Sequence, residues 1–201
     1  MEFNLFIQAI FIFAFCLVLA ALETQIEGGA GWAANLPTWK PSPSSAVSRF
    51  YGKIMGGREL TLYHLLVFLL VIVFLHYPYF AGKAWNLSSE LTTISFLFLI
   101  IVAWDFLWFV VNPHYDFGRF WGRHVLWHKK WFLHMPVDYW FALIISASLY
   151  MRFSFSWTLF RDWAEIIAIF VILIIAVIIF AMVFGIFRIK EEFRRNHANK
   201  Q

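Results

Sequence analysis

Five apolar stretches alternate with polar segments along the chain. The first of them, 4–22, carries no charged residue and is long enough for a helix to cross a bilayer. A cleaved signal peptide is the alternative for this stretch, but no Lys or Arg precedes it, so we favour a retained helix. The pattern predicts membrane spans at about 4–22, 60–80, 91–111, 136–153 and 163–187.

The polar segments predict loops and a tail. Segment 23–59 contains Gly28-Gly29 and three prolines, which favours an irregular loop with one short interfacial helix near 46–54. Asn112-Pro113 ends the third span, and 188–201 extends the last helix as a charged cytoplasmic tail. We therefore expect an all-α, polytopic membrane protein. It would form a single integral-membrane domain over 1–201, with an interfacial amphipathic segment between spans three and four.

Composition and charge support this expectation and orient the chain. Hydrophobic residues make up 62% of the sequence, whereas soluble domains are nearer half. With five spans, thirteen of the sixteen lysines and arginines fall on one side, which the positive-inside rule assigns to the cytoplasm. The N-terminus is then outside and the C-terminus cytoplasmic. The basic excess is explained by membrane topology and does not indicate nucleic acid, and the single Cys16 excludes disulfides and cysteine-based zinc motifs.

Groups able to coordinate a metal gather near the predicted cytoplasmic face. The stretch 104–140 holds four of the seven histidines. The predicted topology brings acidic groups from other segments to the same face. A mixed set of imidazoles and carboxylates suits a transition metal, for which we expect iron or zinc. The candidate ligands are Glu23, Glu27, His64, Asp105, His124, His128 and His134.

Asp105 is the most informative of these residues. A carboxylate in a membrane helix costs roughly 2.5–3.5 kcal/mol on insertion scales, so it needs a partner inside the bundle. An ion pair with Arg119 or a hydrogen bond to a tryptophan indole would satisfy it. The functional alternatives are a metal ion, a histidine that ligates a metal, or a role as proton carrier.

His124 and His128 are four residues apart, so a helix over 117–131 would place both imidazoles on one face, as a two-histidine metal site requires. A tryptophan-rich amphipathic helix lying on the membrane would show the same stripe. This HxxxH pattern resembles the first histidine box of membrane fatty-acid desaturases and hydroxylases, and the resemblance implies a metal site at the cytoplasmic face. The chain has no HxxHH and no His-His pair, so carboxylates would have to replace histidines there.

The remaining candidates also have structural alternatives. Glu23 and Glu27 share a helical face, but carboxylates at the end of a span are commonly solvated. A lone His64 near a helix end is commonly a packing residue. The run GGAGWAANLPTW after Glu27 predicts a loop that folds back over the site or one that lies on lipid headgroups.

Three functions follow from these observations. The first is a metalloenzyme acting on a lipid or another hydrophobic substrate, whose ligands would have to converge on a common point. The second is a non-catalytic subunit or scaffold that forms a homo- or hetero-oligomer through the fifth span. The third, a proton-coupled transporter using Asp105, is disfavoured because the polar groups gather at one face and no internal repeat is present.

Overall fold

The computed structural model describes residues 5–29, 31–55, 57–113, 115, 120, 125 and 128–184. Within these residues the chain forms six helices and one two-stranded hairpin. In chain order the elements are α1 (Leu5–Glu27), α2 (Ala46–Ile54), α3 (Leu62–Phe80), α4 (Leu87–Val111), β1 (Trp131–Phe132), β2 (Met135–Pro136), α5 (Val137–Tyr150) and α6 (Trp157–Val183).

Four of the five predicted spans are helices long and apolar enough to cross a membrane, namely α1, α3, α4 and α6. They fit a multi-pass integral membrane protein. The predicted span 136–153 forms the shorter helix α5, which has 14 residues. At 1.5 Å per residue it is roughly 21 Å long, less than the roughly 30 Å of a hydrocarbon core. Length and composition therefore support four crossings.

Polar caps set the starts of two helices earlier than the apolar pattern predicted. Asn86 accepts a hydrogen bond from the Ser89 backbone N–H, and the Ser89 hydroxyl accepts one from the Asn86 backbone. This capping box starts α4 at Leu87 instead of 91. Ser156 accepts a hydrogen bond from the Leu159 backbone N–H, and this cap starts α6 at Trp157 instead of 163.

Segment 23–59 confirms one prediction and corrects another. The short helix near 46–54 is confirmed as α2, and Ser45 is its N-cap. The loop begins later than predicted because α1 continues through Glu27. Glu23 and Glu27 therefore lie one turn apart on the same face of a helix.

Helix α4 lies at the centre of the bundle and packs against α1, α3, α5 and α6. Its side chains Ile100 and Leu107 are fully buried. Ser95 Oγ of α4 lies 2.9 Å from Ser146 Oγ of α5, and the indole N–H of Trp163 in α6 donates to the same Ser146 oxygen at 3.0 Å. One serine hydroxyl thus joins three helices inside an apolar bundle.

The ends of four helices meet at one end of the bundle, which we call the polar end. Asn112, which caps α4, donates to the Gly28 carbonyl just after α1 at 3.0 Å. Glu27 at the end of α1 lies 3.4 Å from His64 in the first turn of α3. Asp138 in the first turn of α5 lies at the same end, 3.3 Å from the ring of His128.

A hairpin occupies part of the connection between α4 and α5. Trp131 pairs with Pro136, and Val137 donates its N–H to the Lys130 carbonyl at 2.9 Å. Most of the amphipathic helix predicted over 117–131 falls outside the described residues, and the described residues 128–131 are not helical. The backbone groups of Trp131 and Phe132 bond to the facing strand, so they are not available for hydrogen bonds within a helix. Pro136 lacks a backbone N–H, so it cannot donate a hydrogen bond inside a helix.

Candidate functional site

Three of the predicted ligands converge at the polar end. Glu23 and Glu27 project from the last turns of α1, and His64 projects from the first turn of α3. One ligating atom from each of them lies within 4.8 Å of the other two. The closest measured pair is Glu27 Oε1 and His64 Nε2, at 3.4 Å. We call these three residues the triad.

A strained loop holds Glu27 in place. The carboxylate lies at the C-terminal end of α1, where the helix dipole is unfavourable for a negative charge. Trp32 and Ala33 both have positive φ, 50° and 49°, and the Ala33 N–H donates to Glu27 Oε1 at 2.6 Å. Left-handed backbone costs about 1–3 kcal/mol for non-glycine residues and persists where the surroundings fix it. The loop after α1 therefore folds back over the site, as one of its two predicted placements required.

Two contacts hold the His64 ring, one at its edge and one on its face. Its Nδ1 lies 2.7 Å from the buried hydroxyl of Thr61, the residue that also caps α3. Trp32 stacks on the imidazole with ring centroids 4.6 Å apart and an interplanar angle of 28°. These contacts fix the ring with Nε2 directed at Glu27. A hydrogen bond at one ring nitrogen that orients the other is a typical feature of metal-ligating histidines.

Glu27 and His64 of the triad are removed from solvent. The side chains of His64 and Glu27 are 6% and 3% exposed. Glu23 and Asp105 lie close enough for their carboxylates to repel that of Glu27. Buried charges of one sign are costly unless a cation or a proton compensates them. The triad thus brings together two carboxyl groups that require a cation or a proton to compensate them.

A second polar group lies on the opposite wall and is centred on His128. Its Nε2 lies 3.0 Å from Asp105 Oδ2 and its Nδ1 lies 3.3 Å from Asp138 Oδ2. The Tyr139 hydroxyl also donates to Asp105. Burial favours the neutral imidazole, but the hydrogen bonds and charges of Asp105 and Asp138 outweigh it and raise the pKa of His128. The ring of His128 therefore bridges Asp105 of α4 and Asp138 of α5.

The two groups line one cavity of about 560 Å³. Its polar end also includes Arg58, Lys129 and Lys130. The buried indole N–H of Trp104 lies in the cavity wall and interacts with Glu23, although it lacks the geometry of a hydrogen bond to any described acceptor. Towards the middle of the bundle the lining is apolar and comes from Phe68, Phe98, Ile101, Val102, Phe141, Ala142 and Ile145.

The predicted ligands thus divide into four sets. Glu23, Glu27 and His64 come together. Asp105 and His128 bond to each other in the same cavity, so one partner of Asp105 is a histidine, and the predicted partner Arg119 lies outside the described residues. His134 is exposed in the turn of the hairpin, with φ 62°. His124 lies outside the described residues.

Sequence reasoning missed the side chains that orient the ligands. Thr61 stands three residues before His64, a spacing typical of a helix cap, and this cap also fixes the ring. Asp138 and Tyr139 directly follow the hairpin, but only the bridging position of His128 shows their role. Trp32 gives no sequence signal, because its contact with His64 depends on the loop conformation.

Comparison of the chain with models of known protein families, with curated proteins and with solved structures finds no match.

Proposed function

We propose that the protein is a membrane metalloenzyme that holds one divalent transition metal, zinc or iron, between Glu23, Glu27 and His64. Its substrate would be a hydrophobic molecule that enters the cavity from the bilayer. The observation that carries this proposal is the convergence of the triad. Two carboxyl groups of α1 and an imidazole of α3 meet within 4.8 Å, and the side chains of Glu27 and His64 are almost fully buried.

The donor set suits such a metal. With ligand bonds near 2.1 Å, neighbouring donors of a tetrahedral site are about 3.4 Å apart, and Glu27 Oε1 and His64 Nε2 are separated by 3.4 Å. A separation of up to 4.8 Å within the triad requires only small rotations of the flexible Glu23 side chain. Three protein ligands leave a coordination position open, as catalytic sites do. The buried N–H of Trp104 would be satisfied by an oxygen ligand at that position.

A zinc ion held there would supply Lewis-acid activation of a water or carbonyl, whereas iron would supply oxidation. The chain's own residues do the remaining work. Thr61 keeps the Nε2 of His64 aimed at the metal position, and the Ala33 N–H fixes one oxygen of Glu27. His128 lies in the cavity wall between Asp105 and Asp138, where a proton can be exchanged between the ring and the two carboxyl groups. Trp32 covers the histidine and limits access of water from that side.

We also propose that α5 makes a fifth crossing and that the polar end faces the cytoplasm. Ser146 of α5 lies beside Ser95 of α4, while Asp138 reaches through His128 to Asp105, so α5 runs antiparallel along α4. Past its end, Arg152 reaches Ser88 in the first turn of α4. Local thinning of the bilayer and snorkelling of residues at the helix ends accommodate a helix of this length. A fifth crossing puts thirteen of the sixteen basic residues on one side.

The test is metal analysis of the full chain purified in detergent without chelator. We expect about one equivalent of zinc or iron per chain, and at least a tenfold loss in His64→Ala and in Glu27→Gln, since each removes a ligand. His76→Ala is the matched control. His76 belongs to α3, as His64 does, but it lies away from the polar end and pairs with Glu90 of α4 at 3.0 Å. Wild-type protein with less than about a tenth of an equivalent of every transition metal would refute the proposal and favour a non-catalytic subunit.

A further inference from the structure

The cavity has a lateral opening as well as a polar end. Within the described residues, α3 and α5 both pack on α4 but have no extended contact with each other. The face of α4 between them carries Phe98, Ile101 and Val102, and α5 contributes Phe141 and Ile145. Phe141 and Ile145 are exposed on the surface of the bundle, where the surrounding medium is lipid. This apolar cleft therefore connects the triad with the hydrocarbon of the bilayer.

The cleft has the length of a chain segment and not only of a headgroup. On α4 it extends from Asp105 to Phe98, and on α5 it extends from Asp138 to Ile145. Each interval is seven residues, or roughly 10 Å along a helix. The two helices thus present polar groups at one level and apolar groups at the next. A ligand that matches both levels has a polar head and a hydrocarbon tail.

The charged residues near the proposed position of the head group determine which charge that head group should carry. Lys129 and Lys130 are exposed, and neither forms an ion pair within the described part of the chain. Lys129 Nζ extends over the turn at Gly57, 3.6 Å from where a Cβ would stand. Arg58 follows in the same turn and lies over the Trp32 ring at 5.4 Å. Cationic groups therefore approach the cavity mouth from two separate loops.

The acidic groups of the cavity have partners that offset part of their charge. Asp105 and Asp138 both contact the ring of His128. Under the proposed function, Glu23 and Glu27 share a divalent metal. Binding of the metal makes the cavity two charges more positive than its metal-free state, and Lys129 and Lys130 add to this positive charge at its mouth. An anionic head would be attracted only in the metal-loaded state.

We infer that the site binds an anionic amphiphile. Its phosphate-bearing head would lie between the triad and Lys129–Lys130, and its hydrocarbon chain would lie in the cleft between α3 and α5. The inference rests on the proposed function, because the metal supplies the charge that the head requires. It adds the substrate class and its direction of entry. A free phosphate shares the head chemistry but would leave the cleft unused.

The test uses the full chain in dodecyl maltoside, loaded with zinc, and measures metal content and binding on the same sample. The probes are a monoacyl phosphatidic acid, a monoacyl phosphatidylcholine with the same chain, and glycerol 3-phosphate. We expect the first to bind at least about tenfold tighter than either of the others, and removal of zinc to abolish that preference. Equal binding of the two lipids by zinc-loaded protein would overturn the inference about the head and leave the metal site standing. Protein that takes up no zinc would instead refute the proposed function.

Two pairs of variants separate head from chain. Lys129→Gln combined with Lys130→Gln should weaken binding of the anionic lipid about tenfold or more, whereas Lys83→Gln, near Tyr79 in the turn after α3, should not. Ile145→Trp should obstruct the cleft and weaken lipid binding without changing that of glycerol 3-phosphate. Ile144→Trp is its matched control, because Ile144 is exposed on the same helix and does not line the cavity. Equal lipid affinity of the two tryptophan variants, both folded by size-exclusion chromatography, would show that the chain lies elsewhere.

Discussion

Trp32 stacks on His64 although the two residues belong to different segments, one in the loop after α1 and one in the first turn of α3. The same indole donates its N–H to the Glu59 carbonyl at 3.0 Å. One side chain therefore ties the loop to the entrance of α3 and covers a face of the imidazole. The ring of His64 cannot turn away from Glu27 without disturbing this contact.

Trp32→Ala should lower metal affinity although it removes no ligand. Supporting residues of metal sites typically contribute 10–100-fold to affinity, and we expect a loss of about tenfold. The measurement is competition with a chromogenic chelator. Trp39→Ala is the matched control, since Trp39 lies in the same connection and is 61% exposed. Equal affinities of the two variants would show that the stacking does not orient the ligand.

Thr61→Val should weaken metal binding and also destabilise α3. The substitution keeps the shape of the side chain but removes the oxygen that contacts His64 Nδ1 and caps the helix. We expect a 10–100-fold loss of metal affinity and about 1 kcal/mol of stability. Thr61→Ser keeps the hydroxyl and should retain both properties. If the serine variant lost affinity as fully as valine does, the hydroxyl would not be the cause.

The bridge through His128 predicts a dependence of stability on pH. Its pKa in the folded protein is raised above the ordinary value of 6.5. The bridge therefore contributes fully below that pH, and its contribution falls as the pH rises through the higher folded value. Thermal unfolding in detergent should show a melting temperature that declines towards alkaline pH, and His128→Gln should reduce this decline. His134→Gln, at an exposed turn position, should behave like wild type.

Ser146→Ala should destabilise the bundle without affecting the metal site. It removes the hydroxyl that joins Ser95 and Trp163, and such bonds inside membrane proteins contribute about 0.6 kcal/mol each, up to about 1.7. We expect a loss of about 1–2 kcal/mol in reversible unfolding. Ser148→Ala is the control, because Ser148 bonds only to the Ile144 carbonyl of its own helix. Metal content should be unchanged in both variants.

Much of the helical framework could be predicted, because apolar runs of this length have few other structures available in a membrane. The starts of α4 and α6 could not be placed so well, since Asn86 and Ser156 extend helices into polar sequence that a hydropathy pattern treats as loop. The same limitation hid the helical position of Glu27. Local hydrogen bonds at a helix terminus outweigh the average polarity of the segment.

The candidate site was predicted in composition but not in arrangement. The convergence of Glu23, Glu27 and His64 follows from topology, because three groups near the same membrane face can meet. The pairing of Asp105 with His128 could not be derived, because it depends on a connection that turns back through a hairpin and not on helical spacing. The sequence pattern favoured a helix there, and a shared helical face would have grouped His128 with His124.

The order of synthesis gives the central helix a particular task. Asp105 precedes His128 by 23 residues, so synthesis from the N-terminus produces the carboxylate before the imidazole that holds it. Its insertion cost of roughly 2.5–3.5 kcal/mol must be met by the apolar side chains of α4 alone. When the hairpin arrives, the pairing recovers that cost and draws the start of α5 against α4. The contact of Asp105 with His128 thus joins the second half of the chain to a first half that has already been made.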